Sequence, residues 1–328
     1  MDRFEYSAPT MGTMLKIVLY APSESMAQRW ISICLDEIER LIPVLNNYSP
    51  QSEISKLNAD AGRSMKVSED LYRILEQSHR WYQLSDGAFD VTCGRLFLMW
   101  KEARKTGRLP AKEHRRAVKE LCGWQHVQLS KPRSAKDQAR AFEVTLKQPG
   151  LVLDLSGIAT GFIIDSAVDK MQSDGCSRYL IDIGGDIRLG DPPEGRVGWI
   201  VQVEGLSKES PPMMHLALSN CSLTTSGDRN QSSRIDGTNY SHLVDPRTGM
   251  PLQEHQSTTV VADRAIDADA GATALSVLGR RDSAGRIDRM PIDQAILLYA
   301  GLAGETAEES VVGYTRLVRE KTLEGRWP

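Results

Sequence analysis

No two cysteines in this 328-residue chain are spaced as CxxC, and the five present, Cys34, Cys93, Cys122, Cys176 and Cys221, are odd in number. That argues against a disulfide framework and against a zinc site, and leaves reduced thiols as the default. No apolar run approaches the roughly 18 residues of a membrane-spanning helix. The opening Met1-Asp2-Arg3-Phe4-Glu5-Tyr6 has no basic n-region, apolar stretch or cysteine for a lipid, so the expectation is a cytoplasmic protein. An excess of one charge sign is missing too. The net charge of −3 gives no overall attraction to nucleic acid or to an anionic membrane. Several catalytic signatures are also absent: the Gly-Lys-Ser/Thr ending of a Walker A loop, GxGxxG, GxSxG and HExxH.

What remains is an ordinary globular composition, long enough for one large domain or two small ones. Residues 15–19 read as a first strand. Residues 23–45 read as a helix, with Ile31, Leu35, Ile38 and Ile42 on one face and Pro43 ending or kinking it. Residues 46–58 are polar and turn-rich. Ser68 is placed to cap a helix running to residue 84, and Asp86-Gly87-Ala88-Phe89-Asp90 reads as a turn. Residues 101–120 hold eight Lys or Arg against three Glu, which reads first as a solvated helix face and second as a docking surface. Residues 130–140 read as an exposed loop. Short β-type runs follow at 125–129, 142–146 and 151–155, then a helix at 159–171. Further strands are expected at 179–183, 187–189, 199–203, 213–218, 258–262 and 295–299. A last helix, 268–278, stops at Gly279. Helices and strands mix without a strict βαβ alternation, and the prediction is an α+β fold with mixed or antiparallel sheets flanked by helices.

The chemistry-bearing phrases each admit two readings. Asp269 and Thr273 lie four apart on a helix, so their oxygens share a face that suits Mg²⁺ completed by water and phosphate. The alternative is a helix start with Asp267 as N-cap and Asp269 near the dipole's positive end. His242 is a general-base candidate or a structural histidine in a strand. Asp245-Pro246-Arg247-Thr248-Gly249 is a turn, with Arg247 a surface charge or a phosphate contact. Thr224-Thr225-Ser226-Gly227 suits a phosphate or any loop. Asp154-Leu155-Ser156-Gly157-Ile158-Ala159-Thr160-Gly161 joins a strand to a helix whose first amides can face an anion. Gly184-Gly185-Asp186 suggests close backbone approach. Tyr48 and Phe89 lie in expected loops, where a ring can cover a heterocycle, although a core role is the default for Phe89.

In this order the phrases resemble one family, the FAD:protein FMN transferases, also called the ApbE family. The similarity runs from Met11-Gly12-Thr13 to about residue 278. It is most specific at Tyr240-Ser241-His242-Leu243-Val244-Asp245-Pro246-Arg247-Thr248-Gly249 and at Ala268-Asp269-Ala270-Gly271-Ala272-Thr273-Ala274. It implies a single ApbE-like, T-fold-like domain over residues 1–328. It further implies Mg²⁺-dependent cleavage of FAD, attachment of FMN to a threonine hydroxyl of a target protein, and release of AMP. Some relatives instead hydrolyse FAD to FMN and AMP. By position, the resemblance assigns metal binding to Asp269, Thr273 and the carbonyl of Gly157. Flavin or adenine contacts go to Met11, Tyr48, Ala88, Phe89, Asp90 and Asp154, and the catalytic base is His242. Thr160 stands at a nucleotide-side position where many relatives carry lysine and some glutamate. Many relatives also carry an export signal or a lipidated cysteine.

Overall fold

The computed structural model describes residues 1–131, 141–206, 212–227, 233–253 and 256–299, and the backbone of Gly313–Val318. Its helices are α1 Glu24–Leu45, α2 Glu53–Ala59, α3 Glu69–Leu84, α4 Gly94–Thr106, α5 Lys112–Glu120, α6 Ala159–Ser173 and α7 Ala265–Ala284. The expected α+β class holds. Of the loop expected at 130–140, residues 132–140 lie outside the described residues. Among the described residues, no helix is long and apolar enough to cross a membrane. The five cysteines are buried free thiols.

Two compact units share the chain. The first takes Met1–Glu39, Thr160–Asn230 and Glu254–Pro328. Its sheet has eight strands whose spatial order is their chain order, every pair antiparallel. They are β1 Asp2–Thr10, β2 Thr13–Ala21, β3 Tyr179–Ile183, β4 Asp186–Leu189, β5 Ser222–Gly227, β6 Gln256–Ala262, β7 Gln294–Tyr299 and β8 Gly313–Val318. A ribbon of Trp199–Val203 and Met214–Leu218 covers one face, and Trp199, Val201 and Leu218 pack there with Leu223 and Val261. Helix α7 packs on β4, β5 and β6. Fourteen of its residues are buried and many are Ala or Gly, so its backbone can lie close to the sheet. β6 is buried at all seven positions, as expected of a strand covered on both faces.

Three expectations are corrected here. Thr224-Thr225-Ser226-Gly227 is not a loop but the body of β5, paired to Gln256–Ala262. Its hydroxyls fit a ladder because Thr225 Oγ1 bonds Thr259 Oγ1 across the strands at 2.8 Å. The first strand is not residues 15–19 but β1, whose signal is the alternation of half-buried Phe4, Tyr6 and Ala8 with exposed Glu5, Ser7 and Pro9. Helix α7 does not stop at Gly279. That residue is non-helical (φ 67°, ψ 174°), a kink after which helical turns resume to Ala284.

The second unit takes Arg40–Ala159 and Gln231–Gln253. Trp100 is fully buried among Cys93, Leu96, Val118, Ile235, Tyr240 and Val244, and its Nε1 donates to the Gly249 carbonyl at 2.9 Å. A three-stranded antiparallel sheet sets Phe142–Leu146 between Ser64–Val67 and Val127–Ser130. Ser68 caps α3 as expected, its Oγ accepting from Leu71 N at 3.2 Å. Residues 46–58 are not all turn, because Ser52 caps the short helix α2. Nor is 151–155 a strand; only Val152 makes a bridge, to Cys93. The segment is extended because two asparagines replace a partner strand. Asn58 accepts from Leu153 N at 2.8 Å and donates to Leu153 O at 2.9 Å. Asn47 accepts from Leu155 N and donates to Leu153 O, both at 2.9 Å.

Candidate functional site

In the first unit, α7 carries Asp269 and Thr273 on one side of the helix. Asp269 is 6% exposed, and its Oδ2 accepts the Gly161 N–H of α6 at 3.1 Å. That approach requires glycine, for a Cβ at Gly161 would stand 2.4 Å from the Ala265 carbonyl oxygen. A second side chain of α6 fixes the start of α7. Asp165 accepts the N–H groups of Ala265 and Ile266 at 3.0 Å each, and Arg264 Nε lies 3.2 Å from its Oδ2. The expected N-cap, Asp267, is therefore corrected: the cap position is Arg264, which offers no acceptor, and Asp165 does the work from another helix.

Strands β3 and β4 meet in the two-residue turn Gly184-Gly185, both at positive φ, the mirror-image turn that suits hairpin twist. A Cβ at Gly184 would lie 2.7 Å from Thr13 Oγ1, so the close approach expected of these glycines is present. The turn delivers Asp186 to the head of β4. The register Ile187↔Leu223 and Arg188↔Ser222 puts Asp186 on the same sheet face as Thr224. Burial pushes the Asp269 carboxyl well above the usual carboxylate range, the neighbouring Asp186 carboxyl pushes the same way, and the Gly161 N–H opposes both. Burial also pushes Asp186 up to about 6; the Thr224 and Thr160 hydroxyls beside it pull down, and Asp182 pushes up. Thr224 Oγ1 is itself buried and makes no hydrogen bond of ordinary geometry.

Among the described residues, no group of three or more His, Cys, Asp or Glu is arranged to hold a metal. The donor set around Asp269 is two carboxylates with hydroxyls, a partial oxygen shell of the kind Mg²⁺ takes when phosphate and water supply the rest. Met11 stands elsewhere in this unit, with Gly12 at the tip of the β1–β2 hairpin. Its φ of 46° is uncommon for a residue other than glycine or asparagine, and it is 39% exposed.

In the second unit, His242 is half-buried between the strands Thr238–Tyr240 and Val244–Asp245. Its backbone is held on both sides. Ser241 Oγ accepts from Leu243 N at 2.9 Å, a turn centred on His242, and Ser241 N donates to Leu252 O at 2.8 Å. The following Asp-Pro-Arg-Thr-Gly phrase is the expected turn, with Gly249 N donating to Asp245 O at 2.7 Å. Arg247 forks onto Asp245 at 2.9 and 3.0 Å, so its charge already has a carboxylate. Ala88, Phe89 and Asp90 follow the C-terminus of α3 and are all buried. Phe89 N donates to Ser85 Oγ at 2.9 Å. Asp154 N donates to Val91 O at 2.8 Å, which joins the Asp154 segment to the Phe89-Asp90 segment. Asp154 Oδ1 then accepts from Ser156 N at 2.9 Å, ahead of the turn containing Gly157. Tyr48 is 78% exposed, under the Lys101 ammonium at 5.3 Å.

A sequence profile described as the ApbE family matches residues 11–297. The chain belongs to the ApbE family. A relative named FAD:protein FMN transferase from Chlamydia muridarum is 32% identical over 80% of this chain and 78% of its own length. One of the same name from Vibrio cholerae is 31% identical over 85% of this chain and 82% of its own. Among solved structures, a flavin transferase ApbE from Vibrio cholerae superposes with a TM-score of 0.79 at 26% identity, covering 98% of both chains. The ApbE protein of Thermotoga maritima superposes with a TM-score of 0.80 at 25% identity, again over 98% of both. The α+β class and antiparallel sheets expected from the sequence are those of this ApbE fold. Sequence reasoning singled out the phrase around Asp186 for its glycines and overlooked the carboxyl. The available signal was alternation: Asp186 and Arg188 are the polar positions of one face of a short strand.

Proposed function

We propose that this ApbE-family chain transfers FMN from FAD to a threonine hydroxyl of a target flavoprotein, with Mg²⁺, and releases AMP. The observation that carries the reading is the oxygen cluster in which buried Asp269 is held by Gly161 N beside the half-buried Asp186 carboxyl. Two crowded carboxylates cost free energy unless a cation or protons offset them. In this reading the side chains of Asp269 and Thr273, with the Gly157 carbonyl that the resemblance assigns, would hold the ion. When bound, Mg²⁺ offsets pyrophosphate charge and polarises the attacked phosphorus.

The chain's own groups do the rest. His242 takes the proton of the incoming hydroxyl, an effect typically worth about 10²–10⁴-fold in rate. The hydroxyl oxygen bonds to the FMN phosphorus, the bridging P–O bond breaks, and the bridging oxygen leaves with AMP. Met11, Tyr48, Ala88, Phe89, Asp90, Asp154 and Thr160 are the proposed flavin and nucleotide contacts. Thr160 is neutral, so it supplies a hydroxyl where a charged relative would supply a lysine or glutamate.

The test is incubation with FAD, Mg²⁺ and a candidate acceptor domain, read by mass spectrometry. The expected result is a mass gain of one FMN on a threonine, lost on chelation and lost in Asp269→Ala. In His242→Ala the rate is expected to fall by at least about 10²-fold. Transfer at the wild-type rate by both variants would falsify the site assignment. Free FMN and AMP formed equally fast without an acceptor would make the chain an FAD hydrolase instead. Intact FAD bound without turnover would make it a flavin-binding protein.

A further inference from the structure

We propose that Asp186 is a second carboxylate ligand of the divalent cation at Asp269, with the Thr224 hydroxyl as its neighbouring oxygen donor. This rests on the cation reading above but adds residues that the resemblance does not assign.

The backbone is built to put Asp186 there. Gly184 and Gly185 both take positive φ, and a side chain at Gly184 would strike Thr13. The tight turn thus fixes the first residue of β4, and the β4–β5 register sets it beside Thr224. On the opposite side, α7 brings Asp269 down onto the same strands. Two carboxyl groups are thereby brought together within the protein, and among the described residues neither has an ion-pair partner. The basic side chain on that face, Arg188, is already engaged: its Nη1 donates to Ser222 Oγ at 3.3 Å, and its Nε lies 4.0 Å from Asp165. The remaining acid nearby, Asp182, accepts the Gly185 N–H at 2.8 Å and stands opposite Lys16 in the ladder. Asp182 is thus engaged by a backbone N–H, whereas Asp186 has only the neutral Thr224 and Thr160 hydroxyls beside it.

The independent observation is the Thr224 hydroxyl. The residue is 4% exposed, its oxygen lies beside Asp186, and that oxygen has no hydrogen bond of ordinary geometry. A buried hydroxyl normally finds a partner. An oxygen that a cation or its water would complete explains why one is kept at this place. Two carboxylates and a hydroxyl also suit the ion: Mg²⁺ is commonly held by one or two carboxylates and completed by phosphate oxygens and waters.

The experiment is Mn²⁺ binding to the full chain without nucleotide, read by electron paramagnetic resonance, with water-proton relaxation as a second readout. Thermal unfolding of each variant without metal checks that it folds. Asp186→Asn is expected to bind Mn²⁺ at least about 10–100-fold more weakly, since that is the cost of losing a group that only orients a ligand. Water replaces the lost carboxylate, so the relaxation enhancement of the bound ion rises. Thr224→Val, which keeps the volume, is expected to weaken binding several-fold and serves if Asp186→Asn does not fold. Unchanged affinity in Asp186→Asn alongside loss in Asp269→Ala overturns the role of Asp186 and leaves the cation site standing. Unchanged affinity in both variants overturns the cation site itself, and with it this inference.

Discussion

At Asp90 a nearly buried carboxyl accepts from Thr92 N at 2.9 Å and from Thr92 Oγ1 at 2.7 Å. These bonds favour the charged form, yet burial outweighs them and pushes the group up to about 6. The sign follows from linkage. The folded chain binds this proton more tightly than the unfolded chain, whose carboxyl titrates near 3.9. Ionisation in the fold therefore costs stability, and the cost grows between about pH 4 and pH 6 and is complete above. The move from near 3.9 to about 6 corresponds to at most roughly 3 kcal/mol. Asp90→Asn keeps an acceptor for Thr92 and removes the charge. It is expected to raise the melting temperature at pH 8 and to leave it nearly unchanged at pH 3. Equal effects at both values would show that the charge is not the cause. At this scale, the sequence made Asp269 and Thr273 legible because a helix turns neighbours four apart to one side. Their partners were not legible. Gly161 is 108 residues from Asp269, and nothing local to either marks the hydrogen bond.

Elements with one clear apolar period were the readable ones. Helices α3 and α6 and the strands Tyr179–Ile183 and Trp199–Val203 follow their apolar periods within a residue or two. Residues 151–155 misled because their apolar composition is that of a strand, while Asn47 and Asn58 provide the pairing. The cap of α7 misled because it comes from Asp165, 100 residues away from Ala265. The contact of α6 with α7 is the element on which the proposed cation site depends, and it tolerates no side chain at Gly161. Gly161→Ala would set a Cβ 2.4 Å from Ala265 O and 2.7 Å from Ile266 Cα, both backbone atoms. The helices must part, at a cost of about 1–3 kcal/mol, and the Gly161 N–Asp269 bond lengthens. The expected outcome is a lower urea midpoint together with weaker Mn²⁺ binding. A midpoint within error of wild type would show that the contact yields freely.

Over the whole chain, the backbone passes between the two units four times, after Glu39, Ala159, Asn230 and Gln253. The first passage lies inside the unbroken helix α1. Neither unit is a continuous piece, so neither can lose its fold without releasing the chain ends that close loops in the other. The segment Gln231–Gln253, which carries His242, enters and leaves through the first unit. If the first unit unfolds, this segment loses both anchors, and the loop it closes becomes long and costly to hold. From that connectivity we propose that the single domain over residues 1–328 implied by the resemblance unfolds as one cooperative unit despite two separate cores. The prediction is one transition in urea, with hydrogen exchange followed by mass spectrometry as the probe. Peptides covering Gln256–Ala262, buried in the first unit, and Phe142–Leu146, central in the second unit's small sheet, should lose protection at the same urea concentration. Calorimetric and van't Hoff enthalpies should also agree. Loss of protection in one peptide at a clearly lower urea concentration would mean that the units fold separately, and the single-domain reading would then give way to two domains threaded through one another.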